Sequence, residues 1–179
     1  MKRRKLLIEE LGRISVEEFQ ETEKIPLTVV LDNVRSQHNI GSVFRTGDAF
    51  LIEEIALCGI TATPPNAEIH KTALGAEDAV KWSYYEETEE VIRKLKTEGC
   101  IVFAVEQTEN SLSLEQFQAQ KAQRYAVVLG HEVHGVQQSV IDLCDHCIEI
   151  PQFGTKHSLN VSVTTGIVIW DFFKALKQL

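Results

Sequence analysis

Apolar residues fall along this chain in short continuous runs separated by amphipathic stretches. Leu27-Thr28-Val29-Val30-Leu31, Ile55-Ala56-Leu57-Cys58, Cys100 to Val105, Tyr125 to Leu129 and Cys147 to Ile150 are each four to six residues long and rich in β-branched residues. Such runs read as strands buried on both faces. Between them, Ile40, Val43, Phe44 and Ala49 recur at helical spacing, and Val91, Ile92 and Leu95 mark a helix that Gly99 ends. Ser15 with Glu18 three residues on forms a capping box for a short early helix. Thr61 to Ala67, with Pro64-Pro65, reads as a loop. The tail from Ser158 to Leu179 reads as one long helix with Val161, Ile167, Val168, Phe172 and Leu176 available for a buried face.

Strands alternating with helices predict an α/β fold: a parallel sheet with helices on both faces. No repeat, low-complexity segment or linker interrupts the 179 residues. The chain therefore reads as one domain over 27–179, preceded by an N-terminal extension over 1–26.

Composition narrows this little. The chain is 44% hydrophobic and 25% charged, as globular proteins are. No apolar run reaches the roughly 18 residues of a membrane span. Met1 to Glu10 has a basic head but too short an apolar core for a signal peptide, so a cytoplasmic location is expected. The net charge of −8 opposes a bulk nucleic-acid coat and leaves room for a local basic site. Lys2, Arg3, Arg4 and Lys5 form one cationic head, which reads equally as a phosphate contact or as a solvated terminus. Cys144 and Cys147 have C-x-x-C spacing, but Cys58 and Cys100 stand alone. Reduced thiols are expected rather than a metal site.

Familiar nucleotide and catalytic signatures fail. There is no G-x-G-x-x-G. Gly130 and Gly135 have P-loop spacing, but Val136-Gln137 stands where Lys and Ser/Thr are needed. In His131-Glu132-Val133-His134 the second histidine comes one residue early for a zinc-protease helix, and no G-x-S-x-G is present.

Three polar, glycine-bearing segments remain, each after an apolar strand: Asn33 to Thr46, Leu129 to Val136, and Ile150 to Ser162. Loops after the carboxyl ends of parallel strands share one sheet edge, so these three should converge. Five of the six histidines (His38, His70, His131, His134 and His157) fall in these segments or in a loop around His70-Lys71. Arg35, Arg45, Lys71 and Lys156 join them. An acidic chain thus gathers hydrogen-bond donors at one edge, which suits a phosphate-bearing partner.

The three segments resemble the signature motifs of the SpoU/TrmH ribose methyltransferases of the SPOUT superfamily. Asn39-Ile40-Gly41 with Arg45-Thr46 is similar to the first motif, and Leu129-Gly130-His131-Glu132 with Gly135 to the second. Ile150-Pro151, Gly154 and Ser158-Leu159-Asn160-Val161-Ser162 are similar to the third. The resemblance runs from about Leu27 to the end. It implies a C-terminal trefoil knot, an exception to unknotted topology. It also implies a homodimer with the site near the subunit interface, and S-adenosylmethionine as cofactor. The reaction implied is methyl transfer to a ribose 2′-hydroxyl of RNA, with tRNA favoured and rRNA the alternative. A non-catalytic RNA-binding protein of the same fold and a base-methylating enzyme are competing readings. The Asn39 to Arg45 motif points to ribose.

Residue roles follow from the resemblance. Thr108, Leu129, Gly130, Ile150 and Leu159 would hold the cofactor, with glycine at 130 and 154 permitting close backbone approach. Asn39, Glu132, Ser158 and Asn160 would order the site, and Arg45 is the proposed catalytic residue. Arg35, His38, Lys71 and Lys156 would contact RNA. Arginine keeps its proton in proteins, so Arg45 is expected to grip a phosphate and steady alkoxide charge rather than remove a proton. Glu132 and Ser158 each have a second reading, as helix caps.

Overall fold

The computed structural model describes residues 3–177, so Lys2 of the basic head and the last two residues of the expected C-terminal helix lie outside the described residues. Seven strands form one sheet: β1 (Ile25–Asp32), β2 (Ile52–Cys58), β3 (Trp82–Tyr85), β4 (Cys100–Val105), β5 (Leu112–Ser113), β6 (Arg124–Leu129) and β7 (His146–Glu149). Their order is β3-β2-β1-β6-β4-β7-β5, and every neighbouring pair is parallel. All strands thus end at one edge, and the loops that follow them meet there.

Helices cover both faces. On one side lie α1 (Val16–Glu21), α2 (Gln37–Ala49), α3 (Ala67–Ala73), α4 (Ala76–Ala79) and α7 (Val161–Lys177). They contribute Phe19, Ile40, Phe44, Ile69, Ala76, Val168 and Phe172 to a core shared with Leu27, Val29 and Leu31 of β1. On the other side α5 (Thr88–Thr97) and α6 (Gln138–Ile141) pack Val91, Ile92, Leu95 and Val140 against Val30, Val102 and Val128. Alternate residues of a single strand serve different cores, which is why the strands read as continuous apolar runs.

Ser15 and Glu18 form the expected capping box at α1. α5 ends at Thr97 with Glu98 as its C-cap, and Gly99 follows with φ +81°, a conformation glycine adopts freely. Several expectations need correction. α7 starts at Val161, not Ser158, because the Asn160 side chain accepts the Ser162 and Val163 amides at 2.9 and 3.4 Å and caps the helix. Within α7, Val161, Val168, Phe172 and Leu176 are buried, whereas Ile167 stays exposed with Val163 and Trp170. Ala49 closes α2 on its exposed side. His38 lies in the first turn of α2, and His70 and Lys71 lie in α3, which Asn66 caps directly after the proline pair. They belong to helices rather than loops.

Candidate active site

At the sheet edge, the ends of β4, β6 and β7 and the start of α7 enclose a cavity of ≈ 690 Å³. Thr108, Leu129, Gly130, Glu132, Ile150, Ser158, Leu159 and Asn160 line it together. Residues from three separated segments therefore share one wall, as the sheet topology requires.

The loop after β6 is fixed with unusual completeness. His131 and Gly135 exchange two backbone hydrogen bonds, of 3.0 and 2.8 Å, closing the loop on itself. A Cβ on Gly130 would lie 2.1 Å from the carbonyl carbon of Gly135 and from the Val136 nitrogen, so the two ends of the loop touch backbone to backbone. Gly135 has φ +68°, and a Cβ there would meet the Glu106 carboxylate. At Gly154, by contrast, nothing approaches within 4 Å of where its Cβ would be.

Three carboxylates pin this loop to its surroundings. Glu132 accepts the backbone amides of Arg35 (3.0 Å) and Ser36 (2.8 Å) and the Asn39 side-chain amide (3.0 Å). Glu106 accepts the Val136 amide at 3.1 Å, and Asp32, fully buried at the end of β1, accepts the next amide, Gln137, at 2.9 Å. Asp32 also takes Thr88 Oγ1 (2.6 Å), Gln137 Nε2 (3.0 Å) and Asn33 Nδ2 (2.9 Å). Both oxygens of this buried carboxylate are thus supplied with hydrogen-bond donors.

From Glu132 the chain of bonds continues. Asn39 Oδ1 accepts Asn160 Nδ2 at 3.2 Å, so Glu132, Asn39 and Asn160 form one line across all three polar segments. Partial burial pushes the Glu132 carboxyl up, but the Ser36 amide, its own backbone amide, and the donors from Arg35 and Asn39 outweigh it and hold the carboxyl below its ordinary value. Glu132 thus does serve a helix start, that of α2 rather than of the helix following it. Ser36 is the N-cap of α2, accepting the Asn39 amide. Ser158 borders the cavity without capping α7.

The expected cations lie elsewhere. Arg45 is exposed in the middle of α2 and does not line the cavity. Six helical positions separate it from Asn39, which turns it about 120° away around the helix. His38 and Lys71 both bind Glu68, at 3.1 and 2.6 Å. Arg35 and Lys156 are exposed. In the basic head, Arg4 is held by Glu10 at 2.8 Å. Cys58 and Cys144 are pushed up to about 12 by burial, so they remain unreactive thiols. Among the described residues no group of three His, Cys, Asp or Glu is placed to hold a metal ion, and no helix is long and apolar enough to cross a membrane.

Asp32 and Glu106 were not anticipated. A readable signal existed, since each is an acid that directly follows an apolar strand run, Asp32 after Leu31 and Glu106 after Val105.

The chain is 30% identical over 169 residues to the 23S rRNA (guanosine-2′-O-)-methyltransferase RlmB of Vibrio parahaemolyticus, covering 94% of this chain and 66% of that protein. The same enzyme of Neisseria meningitidis is 29% identical over 80% of this chain and 56% of its own length. The chain thus spans less than two thirds of these RlmB relatives. It is also 30% identical over 162 residues to the tRNA (guanosine(18)-2′-O)-methyltransferase of Thermus thermophilus, covering 90% of this chain and 81% of that one. Among solved structures, the AdoMet-bound rRNA methyltransferase of Sinorhizobium meliloti superposes with a TM-score of 0.78 at 26% identity, over 90% of this chain and 60% of that one. The TrmH/SpoU tRNA modifying enzyme of A. aeolicus shares the fold, with a TM-score of 0.80 at 22% identity over 91% and 83% of the two chains. Residues 26–170 match the model of the SpoU rRNA Methylase family, and with the three polar segments joined through Glu132, Asn39 and Asn160, the chain belongs to that family.

Proposed function

We propose that this protein transfers a methyl group from S-adenosylmethionine to a ribose 2′-hydroxyl of RNA. The observation that carries the proposal is the hydrogen-bonded line Glu132–Asn39–Asn160 at the mouth of a glycine-walled cavity. The cavity fits the cofactor: its volume is that of a small-molecule site, and Leu129, Gly130, Ile150 and Leu159 stand together in its lining. Leu129, Gly130, Ile150 and Leu159, with Thr108, would hold it, largely through backbone groups. When bound, the cofactor supplies an electrophilic methyl group.

The protein's own part is to present the hydroxyl in line and to steady charge. Glu132, Asn39 and Asn160 keep the loops in register, and Ser158 offers a hydroxyl at the cavity wall. Arg45 grips the phosphate beside the target ribose. Its place outside the cavity of its own chain suits a homodimer whose site lies near the interface. The exposed Val163, Ile167 and Trp170 of α7 support such a pairing. A trefoil knot over the loops after β6 and β7, and action in the cytoplasm by residues 27–179 with 1–26 as an extension, complete the reading. Arg45→Lys keeps the charge and loses the planar fork. It should lower turnover at least tenfold, and full turnover would exclude the bidentate grip.

Transfer of tritiated methyl groups to purified tRNA and to 23S rRNA tests the proposal. The tRNA reading is supported by the fuller match to the Thermus enzyme, whose name specifies tRNA. The rRNA reading is supported by the RlmB relatives. Label in one pool decides the substrate class. Cofactor binding without transfer to either would turn the reading toward a non-catalytic RNA-binding protein.

A further inference from the structure

The cavity and the surface around it carry opposite charge. Glu106, Glu132 and Glu149 line the cavity, and no lysine or arginine among the described residues does. The cations expected to meet RNA stand outside it: Arg45 on α2, Lys71 on α3 and Lys156 on the loop after β7. A wall of this sign repels RNA phosphate and attracts a cation.

The three carboxylates are not equivalent. Glu132 is engaged by three N–H donors, and Glu106 accepts the Gln107 and Val136 amides. Glu149 is the last residue of β7, half-buried, with no hydrogen bond or ion pair from its side chain among the described residues. Alternation along β7 puts Ile148 in one core and Cys147 against the other, so Glu149 falls on the Cys147 side, that of α6. Gln138 and Ile141 of α6 line the same cavity. A carboxylate held at a cavity wall without a partner has charge left for whatever enters.

We propose that Glu149 makes the cavity selective for the charged form of the cofactor. This rests on the function proposed above. S-adenosylmethionine carries a sulfonium cation, and transfer of its methyl group leaves S-adenosylhomocysteine, a neutral thioether with the same adenosine and amino-acid groups. Backbone contacts from Gly130 or Ile150 treat the two alike. A nearby uncompensated carboxylate does not: it favours the substrate form and assists release of the spent one. At the effective dielectric of a partly exposed site, one charge a few ångströms away changes affinity by about tenfold.

Calorimetric titration of the wild-type chain and of Glu149→Gln with S-adenosylmethionine and, separately, S-adenosylhomocysteine tests this at pH 8. The substitution keeps side-chain size. It is expected to lower the ratio of the two affinities about tenfold, by weakening S-adenosylmethionine while S-adenosylhomocysteine changes less than twofold. A merely structural role would weaken both alike, and an unchanged or increased ratio overturns the proposal. A second measurement needs no variant. Raising salt from 50 to 500 mM should weaken the wild-type chain for S-adenosylmethionine more than for S-adenosylhomocysteine, and equal salt dependence again overturns it. A wild-type chain that binds neither molecule overturns the function proposed above, and this inference with it. Binding of both with no change in ratio leaves that function standing and removes only Glu149.

Discussion

The loop from Gly130 to Gln137 and the loop from Pro151 to Asn160 border the same cavity and are held in opposite ways. The first is closed by a two-bond backbone bridge and tied by Glu132, Glu106 and Asp32 to α2 and to the ends of β4 and β1. The second is exposed from Phe153 to Asn160, with Phe153 97% exposed. Its fixed points are the Gln107 Nε2 bond to the His157 carbonyl, at 3.1 Å, and the Asn160 cap at its far end. One wall is thus pre-organised before any ligand arrives. The other is left adaptable, as a wall that must admit a large partner needs to be.

The two glycines test that contrast with the largest expected effect. Gly130→Ala drives a methyl group into backbone at 2.1 Å, so the closed loop must open. We expect a loss of about 3 kcal/mol in denaturant unfolding and about hundredfold weaker S-adenosylmethionine binding. Gly154→Ala meets nothing within 4 Å and should change stability by less than about 0.5 kcal/mol. Equal effects at the two positions would remove the distinction between the loops.

Glu132→Gln comes next. It replaces one acceptor with a donor facing the Ser36 or Arg35 amide, at a cost of about 2 kcal/mol. The pH dependence has a definite sign. The folded carboxyl sits below its ordinary value, so its stabilisation is complete above that value and disappears as pH falls through the lowered one. The stability gap between wild type and Glu132→Gln should therefore be constant near neutrality and shrink below about pH 4.5. A gap that stays constant to pH 3 would show that the carboxylate charge is not what the amides hold.

The legibility of the molecule in its sequence divides along a related line. Continuous apolar runs gave away β1, β2, β4, β6 and β7, because a strand buried on both faces needs no polar side. β3, Trp82-Ser83-Tyr84-Tyr85, was missed: it pairs only with β2 and keeps partly exposed aromatic and polar residues. The convergence of the three polar segments followed from parallel strands alone. The internal wiring did not. Ser158 and Asn160 are both capable caps, and Asn160 takes the role at the point where its amide also reaches Asn39, 121 positions earlier. Asp32 falls between the apolar run ending at Leu31 and the polar segment starting at Asn33, and only the packing of α5 and Gln137 around it reveals a buried anchor.

That double duty of Asn160 can be split. Asn160→Ala removes both the cap and the bond to Asn39, and should cost about 1 kcal/mol of stability along with most transfer activity. Asn160→Ser restores a capping oxygen on a side chain too short to reach Asn39. Thermal unfolding should return to within about 0.5 kcal/mol of wild type while transfer stays low. If activity returns with stability, Asn160 matters only as a cap.

Lys156 carries the smallest expected effect on the fold and the most specific effect on binding. It stands on the adaptable wall, exposed, with no carboxylate partner among the described residues, whereas Lys71 shares Glu68 with His38. An unpaired cation on a loop gives up no internal contact when removed, so Lys156→Ala should leave unfolding unchanged within about 0.5 kcal/mol. If it meets one phosphate, RNA affinity should fall about equally for all sequences, and the slope of log affinity against log salt should drop by about one. Lys71→Ala should lower the slope by less, because Glu68 already offsets much of that charge. Equal slopes for the two variants would mean that RNA draws Lys71 away from Glu68 on binding, and that the second wall extends onto α3.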